Sequence, residues 1–166
     1  MELYIDKPKS EWEWQMGQVA MDSLPLDLSK ITNEIINRDE PYTSADEKTE
    51  IGHIHLRVTD LFKAEKFYSN FIGMNVTNSS YNGALFMSAG GYHHHIGTNI
   101  WSSANGSSRN EEELGLKSFT INIPDTNFIN ELKNKSKQNG FEYIEIPKSN
   151  GIQVKDLDNI SVKITT

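Results

Sequence analysis

The chain has 166 residues, no cysteine and a formal net charge of −7. That length suits one domain of ordinary size with its own core, and the lack of thiols excludes disulfides, zinc knuckles and a cysteine nucleophile. Lysines and arginines are scattered, which argues against a nucleic-acid surface, and no apolar run nears the roughly 20 residues that cross a bilayer, so the expectation is a soluble, cytoplasmic protein with neither a nucleic-acid nor a membrane partner.

Residues 1–49 and 50–166 differ in texture. The first stretch carries Trp12 and Trp14, the prolines Pro8, Pro25 and Pro41, and many acidic residues. It predicts one short helix over 28–36, capped by Ser23 or Asp27, followed by a polar linker over 38–50. Its apolar residues are too few for a core.

From Ile51 the pattern sharpens. "IGHIHLRV" alternates, placing Ile54, Leu56 and Val58 on one face of a strand and His53, His55 and Arg57 on the other. A helix follows, capped by Thr59 or Asp60, with Leu61, Ala64, Phe67, Tyr68 and Phe71 on its apolar side and Gly73 at its end. "MNVTNSS", "GALFMSAG" and "YHHHIGTNIW" read as three strands divided by Asn-Gly and Gly-Gly turns. The unit is βαβββ.

The same order recurs. "LKSFTINIP" predicts a strand, "DTNFINELKNKSKQNG" a helix from Asp125 to near Gly140, and "FEYIEIP", "GIQVKDL" and "NISVKIT" three more strands. Superposing "RVTDL" on "NIPDT" gives an offset of 65 residues, with Asp60 on Asp125, and indicates an internal duplication. The predicted fold class is α+β: two βαβββ units over 50–166 whose sheets pair into a curved, half-open cup.

All five histidines lie in two of these strands. Residues i and i+2 of a strand share a face, so His53 pairs with His55 and His93 with His95, while a strand would turn His94 to the opposite face. Imidazoles converging from two strands suit Fe, Zn, Ni or Cu, and two histidines with a carboxylate are the signature of non-haem Fe(II) oxygenases. The second unit offers no such ligand. The position matching His53 is Ser118 and that matching His95 is about Ser161; Glu142 and Glu145 lie on a strand that does not face the centre.

"IGHIHLRVTDLFKAEKFYSNFIGMNV" resembles the first strand and helix of the vicinal oxygen chelate superfamily, which includes glyoxalase I, bleomycin-resistance proteins and extradiol dioxygenases. The longer run from "ELYIDKPKSEWEW" through "GALFMSAGGYHHHIGTNIW" is similar to extradiol dioxygenases of the bacillus catechol 2,3-dioxygenase type. The resemblance implies a metal ligand at His53 and a second at His95, with His93 second choice and His94 third. It also implies a carboxylate ligand at Glu2. Such proteins carry four βαβββ units, so residues 1–49 would be the remnant of a preceding domain's last strand plus the inter-domain connection. The rest of the site would come from an N-terminal half or another copy of the chain.

The activity so implied is Fe(II)-dependent ring cleavage of a catechol-type diol, with His55 or His93 as the general base and Tyr92, Tyr81 or Trp101 lining a ring pocket. A glyoxalase-like isomerase or lyase using Zn, Ni or Mn is the alternative within the superfamily. A metal-free binding or scaffold module is the alternative outside catalysis. A truncated first strand would leave backbone groups unpaired, which predicts a homo-oligomer, in the simplest case a dimer.

Overall fold

An aspartate caps each of the three α-helices among the described residues. Asp27 accepts from the Ser29 amide, Asp60 from Lys63 and Asp125 from Asn127, each satisfying an amide that has no partner within its helix. The computed structural model describes residues 7–22, 25, 27–36, 41, 43–110 and 112–166. Glu2 lies outside these residues. Helix α1 is Leu28–Ile35, close to the expected span.

In the first unit, strand β3 (Ile54–Arg57) leads to α2 (Leu61–Glu65). Where the sequence predicts a single α-helix, the chain continues as a π-helix over Lys66–Phe71. The Ile72 amide bonds Phe67 O, five residues back, and this wider turn brings Phe67, Tyr68 and Phe71 into the core together. Gly73 ends the helix at φ +93°. Strands β4 (Asn75–Asn78), β5 (Ala84–Ser88) and β6 (Ile96–Asn99) complete a sheet in the order β3-β6-β5-β4. The hairpin β1 (Trp14–Gln15) and β2 (Gln18–Val19) precedes α1 and this first unit, and the second unit runs β7 (Ser118–Asn122), α3 (Thr126–Asn139), β8 (Tyr143–Glu145), β9 (Gly151–Lys155) and β10 (Ser161–Thr165). Its order is β7-β10-β9-β8, the same topology.

The duplication is therefore real at the level of pairing. In the first unit Ile54 lies opposite Ile96 in a parallel pair; in the second Phe119 lies opposite Val162. Extending the first register by one residue sets His53 opposite His95, and the second already pairs Ser118 with Ser161, which makes these serines the histidines' counterparts, as the sequence offset implies. The two sheets are each four-stranded and open. Their facing edges β3 and β7 leave between them a groove of about 1350 Å³.

One core serves both units. Leu56, Leu85, Met87 and Ile96 from the first sheet pack with Phe67, Tyr68 and Phe71, and with Ile129, Leu132, Ile152, Val154, Val162 and Ile164 from the second. Polar ties cross the same junction. The Tyr68 hydroxyl donates to Asp156 Oδ2 at 2.7 Å, and the Thr59 amide donates to the Asp158 carboxylate at 3.2 Å. Asp156 Oδ1 also accepts from the amides of Asp158 and Ile160, which shapes the β9–β10 turn. The rows of Leu56, Leu85, Met87 and Ile96 pack with the helical side chains, and strand alternation turns the intervening rows to the opposite face.

Candidate metal centre

The register fixes what the inner face of the first sheet presents. His55, Gly97 and Phe86 lie side by side across β3, β6 and β5, with Leu56 and its neighbours turned to the core. His53 precedes β3 on the face of His55, their rings 5.0 Å apart. A Cβ on Gly97 would stand 3.0 Å from a His55 ring carbon. The absence of a side chain there gives the imidazole its room.

The triple histidine departs from expectation. Residues 92–95 are not a strand; β6 begins at Ile96, after a turn in which Gly90 and Gly91 take φ of +64° and +70°. Two consecutive left-handed residues bend the chain away from extended geometry, so strict alternation no longer governs the three side chains. His94 is therefore not turned to the opposite face. It is buried on the inner face, with ring centroids 4.3 Å from His53 and 5.0 Å from Phe86.

His53, His93 and His94 each bring one nitrogen within 4.8 Å of the others. Two nitrogens on one first-row ion, each about 2.1 Å from it, stand at most about 4.2 Å apart, so modest ring rotations bring this group to ligating distance. His94 Nδ1 lies 2.8 Å from His93 Nδ1 and its Nε2 lies 3.1 Å from His55 Nε2. His95 stands apart. Its Nδ1 accepts the Ala89 amide at 3.3 Å and lies 2.9 Å from Ser88 Oγ. Of the residues singled out by sequence, the structure thus brings His53, His55, His93 and the third-choice His94 together, and sets the first-choice His95 against the end of β5.

The electrostatics favour the neutral imidazole at His94 and at His95. Burial, reinforced by the surrounding His53, His93, His55 and His95, lowers the His94 pKa to about 3. Burial also lowers that of His95, with His93 and Lys9 adding to the shift. A neutral imidazole keeps the lone pair a metal needs, so the donor set fits a divalent ion of the kind imidazole ligates. The group of three contains no carboxylate. Glu145, on β8, instead bonds Lys133 of α3 at 2.7 Å, on the helical side.

A strap that the sequence reading did not place at the site lies beside it. Residues 7–20 fold back on the first unit. Asn78 Nδ2 donates to Val19 O at 2.8 Å, and Gln18 Oε1 accepts from the Ser79 amide. Trp12 then packs edge-on against Tyr92 and His93, at 5.4 and 5.0 Å between centroids. Lys9 of this strap lines the groove with His53, Tyr92 and His95. Among the described residues no helix is long and apolar enough to cross a membrane.

Comparison with known proteins agrees with this architecture. Residues 50–158 match the family model of the glyoxalase/bleomycin resistance protein/dioxygenase superfamily. The chain is 37% identical over 158 residues to a catechol-2,3-dioxygenase of Bacillus subtilis strain 168, covering 94% of this chain and 54% of that protein, about half its length. The fold resembles a glyoxylase/bleomycin resistance protein/dioxygenase domain from Frankia sp. EAN1pec, with a TM-score of 0.58, 17% identity, and coverage of 70% of this chain and 96% of that one. It also resembles a fosfomycin resistance protein from Listeria monocytogenes, solved with Mn(II) and a dihydroxypropylphosphonic acid, with a TM-score of 0.51, 23% identity, and coverage of 69% and 86%. The shared βαβββ units and the family match over most of the second stretch place this chain in the glyoxalase/bleomycin resistance protein/dioxygenase superfamily.

Proposed function

We propose that the chain is the metal-holding half of an Fe(II)-dependent extradiol dioxygenase that opens a catechol-type ring. The observation that carries the reading is the inward group of His53, His93 and His94, with His94 held neutral by burial. The 37% identity to a catechol-2,3-dioxygenase supports it.

In this reading His53, His93 and His94 hold the ion. Fe(II), when bound, supplies chelation of two vicinal oxygens and an electron path to O2. His55, exposed and with Nε2 3.1 Å from His94 Nε2, accepts the catechol proton. Phe86, in ring contact with His55 and His94, gives the inner face an apolar wall that limits water. The carboxylate of the expected triad comes from Glu2, from an N-terminal half of a longer protein, or from a second copy. An imidazole-only donor set also suits Zn or Ni, which is the specific ground for the second reading, a glyoxalase-like isomerase or lyase.

Anaerobic titration with Fe(II), followed by catechol and O2 uptake, tests the proposal. One equivalent bound, lost by at least a hundredfold in His53→Ala and His94→Ala, with ring-opened yellow product on aeration, is the expected result. Binding without O2 uptake, but with turnover of a hemithioacetal in Zn(II) or Ni(II), replaces it with the isomerase reading. No metal uptake overturns both.

A further inference from the structure

Residues 7–20 lie outside the stretch matched by the family model, which begins at residue 50, yet they pack onto the histidine centre. We propose that Trp12 is a positioning residue of that centre: its indole clamps the His93 ring so that the imidazole stays within reach of His53 and His94. The inference rests on the metal-holding reading above and names a residue from the strap that serves it.

His93 needs such a clamp. It follows the Gly90-Gly91 turn and precedes β6, so sheet pairing does not set its ring as it sets that of His55. Its ring is instead bounded by neighbours. Tyr92 lies tilted against it at 4.1 Å and 32°, and Trp12 stands edge-on at 5.0 Å and 76°. Trp12 also contacts Tyr92 edge-on at 72°, so the three rings brace one another. Edge-to-face pairs of this kind have a preferred geometry, which makes the contact directional as well as apolar.

Trp12 is itself fixed from both sides in sequence. Its indole N–H donates to Lys7 O at 2.9 Å. A few residues on, the β1–β2 hairpin is tied to β4 through Val19 and Gln18. The strap therefore carries the order of the first sheet to a loop histidine. Groups that orient a ligating histidine typically alter metal affinity by about 10–100-fold when removed.

The test uses Co(II) as probe, with the native chain, Trp12→Ala and Trp12→Phe. Co(II) affinity and d–d absorption are read beside thermal midpoints. In the metal-free proteins the NOE between the His93 and His94 ring protons is measured, their centroids standing 4.6 Å apart. Trp12→Ala is expected to bind Co(II) about tenfold more weakly with a changed absorption band and a weakened NOE. Trp12→Phe, which keeps an aromatic edge, is expected to stay within about twofold.

Native affinity, band and NOE in Trp12→Ala overturn the proposal. Equal losses in both variants, matched by equal falls in thermal midpoint, overturn it in favour of a general packing role. If the native chain takes up no Co(II), the metal reading fails by itself. The NOE then decides the positioning role: unchanged in Trp12→Ala it overturns that role, and weakened it supports it.

Discussion

The two βαβββ units share a backbone plan and differ in one layer. On the core side the rows correspond: Ile54, Ile96 and Met87 match Phe119, Val162 and Val154, and Leu56, Thr98 and Leu85 match Ile121, Ile164 and Ile152. All but Thr98 are apolar. On the inner side His55, Gly97 and Phe86 face Thr120, Lys163 and Gln153 in the matching row. Neither topology nor core packing makes a site here. The inner row of each sheet is independent of the row that holds the fold together, because successive strand residues alternate faces. The first unit uses that freedom to gather imidazoles, and the second carries short polar and long charged side chains.

Buried ionisable groups sharpen the contrast, because His94 of the first unit and Asp156 of the second respond to pH in opposite senses. The His94 pKa falls from 6.5 to about 3, mainly through burial. The metal-free native state then stays neutral while the unfolded chain takes up a proton, so this stability is present above pH 6.5 and is lost as pH falls toward 3. Asp156 is raised from 3.8, first by burial, with the Tyr68 hydroxyl and the amides of Ile160 and Asp158 pulling it back. Its contribution is full below pH 3.8 and is lost as pH rises through its folded value. In chelator-treated protein, His94→Gln is expected to remove about 2–4 kcal/mol of acid-side stability loss between pH 6.5 and 3. Asp156→Asn is expected to flatten the curve in the opposite sense. Denaturant midpoints across pH check both; parallel profiles for native and His94→Gln protein break the contrast.

The junction between the units gives the next effect. The Tyr68 hydroxyl is held protonated by burial and by the Asp156 and Asp158 charges, so it remains a donor to Asp156. Tyr68→Phe removes that donor from a buried carboxylate, which is expected to cost about 1–3 kcal/mol. The bond joins the helical part of the first unit to a turn of the second. Hydrogen exchange should therefore quicken in both sheets together. Quickening confined to one sheet would mean that the units open separately.

How much of this could be read from the sequence follows the range of each signal. Period-2 alternation and the caps at Asp60, Asp125 and Gly140 are local, and they located the strands and helices of both units within a few residues. The inward face of His53 and His55 followed from the same alternation. His94 departs from the alternation because the strand predicted from Tyr92 begins only at Ile96, so the chain leaving the Gly90-Gly91 turn is still irregular at the histidines. The Tyr68–Asp156 bond spans 88 residues, and Trp12 meets His93 across 81 positions of sequence; neither leaves a local pattern. The Gly-Gly pair marks the turn in the sequence, but nothing local marks how far past it the irregular backbone runs.

The smallest effect isolates the inner row itself. Gly97 lies on a strand without a positive φ, so alanine there meets no backbone strain and gains about 0.4–1 kcal/mol from a less flexible unfolded chain. Against that, the new Cβ would stand 3.0 Å from His55 Cδ2 and 3.1 Å from its Nε2. The ring is the far end of a side chain and turns aside at modest cost, so Gly97→Ala is expected to change stability by less than about 1 kcal/mol in either direction. Turning aside separates His55 Nε2 from His94, now 3.1 Å away. On the proposed dioxygenase reading, catechol turnover should then fall about tenfold while Fe(II) affinity holds, since His53, His93 and His94 are untouched. The counterpart position in the second unit carries Lys163, which faces Thr120 and needs no such clearance, so Lys163→Ala should leave both quantities unchanged. Equal turnover in Gly97→Ala and native protein would mean that His55 moves no proton in the reaction, and that the glycine is there for the sheet alone.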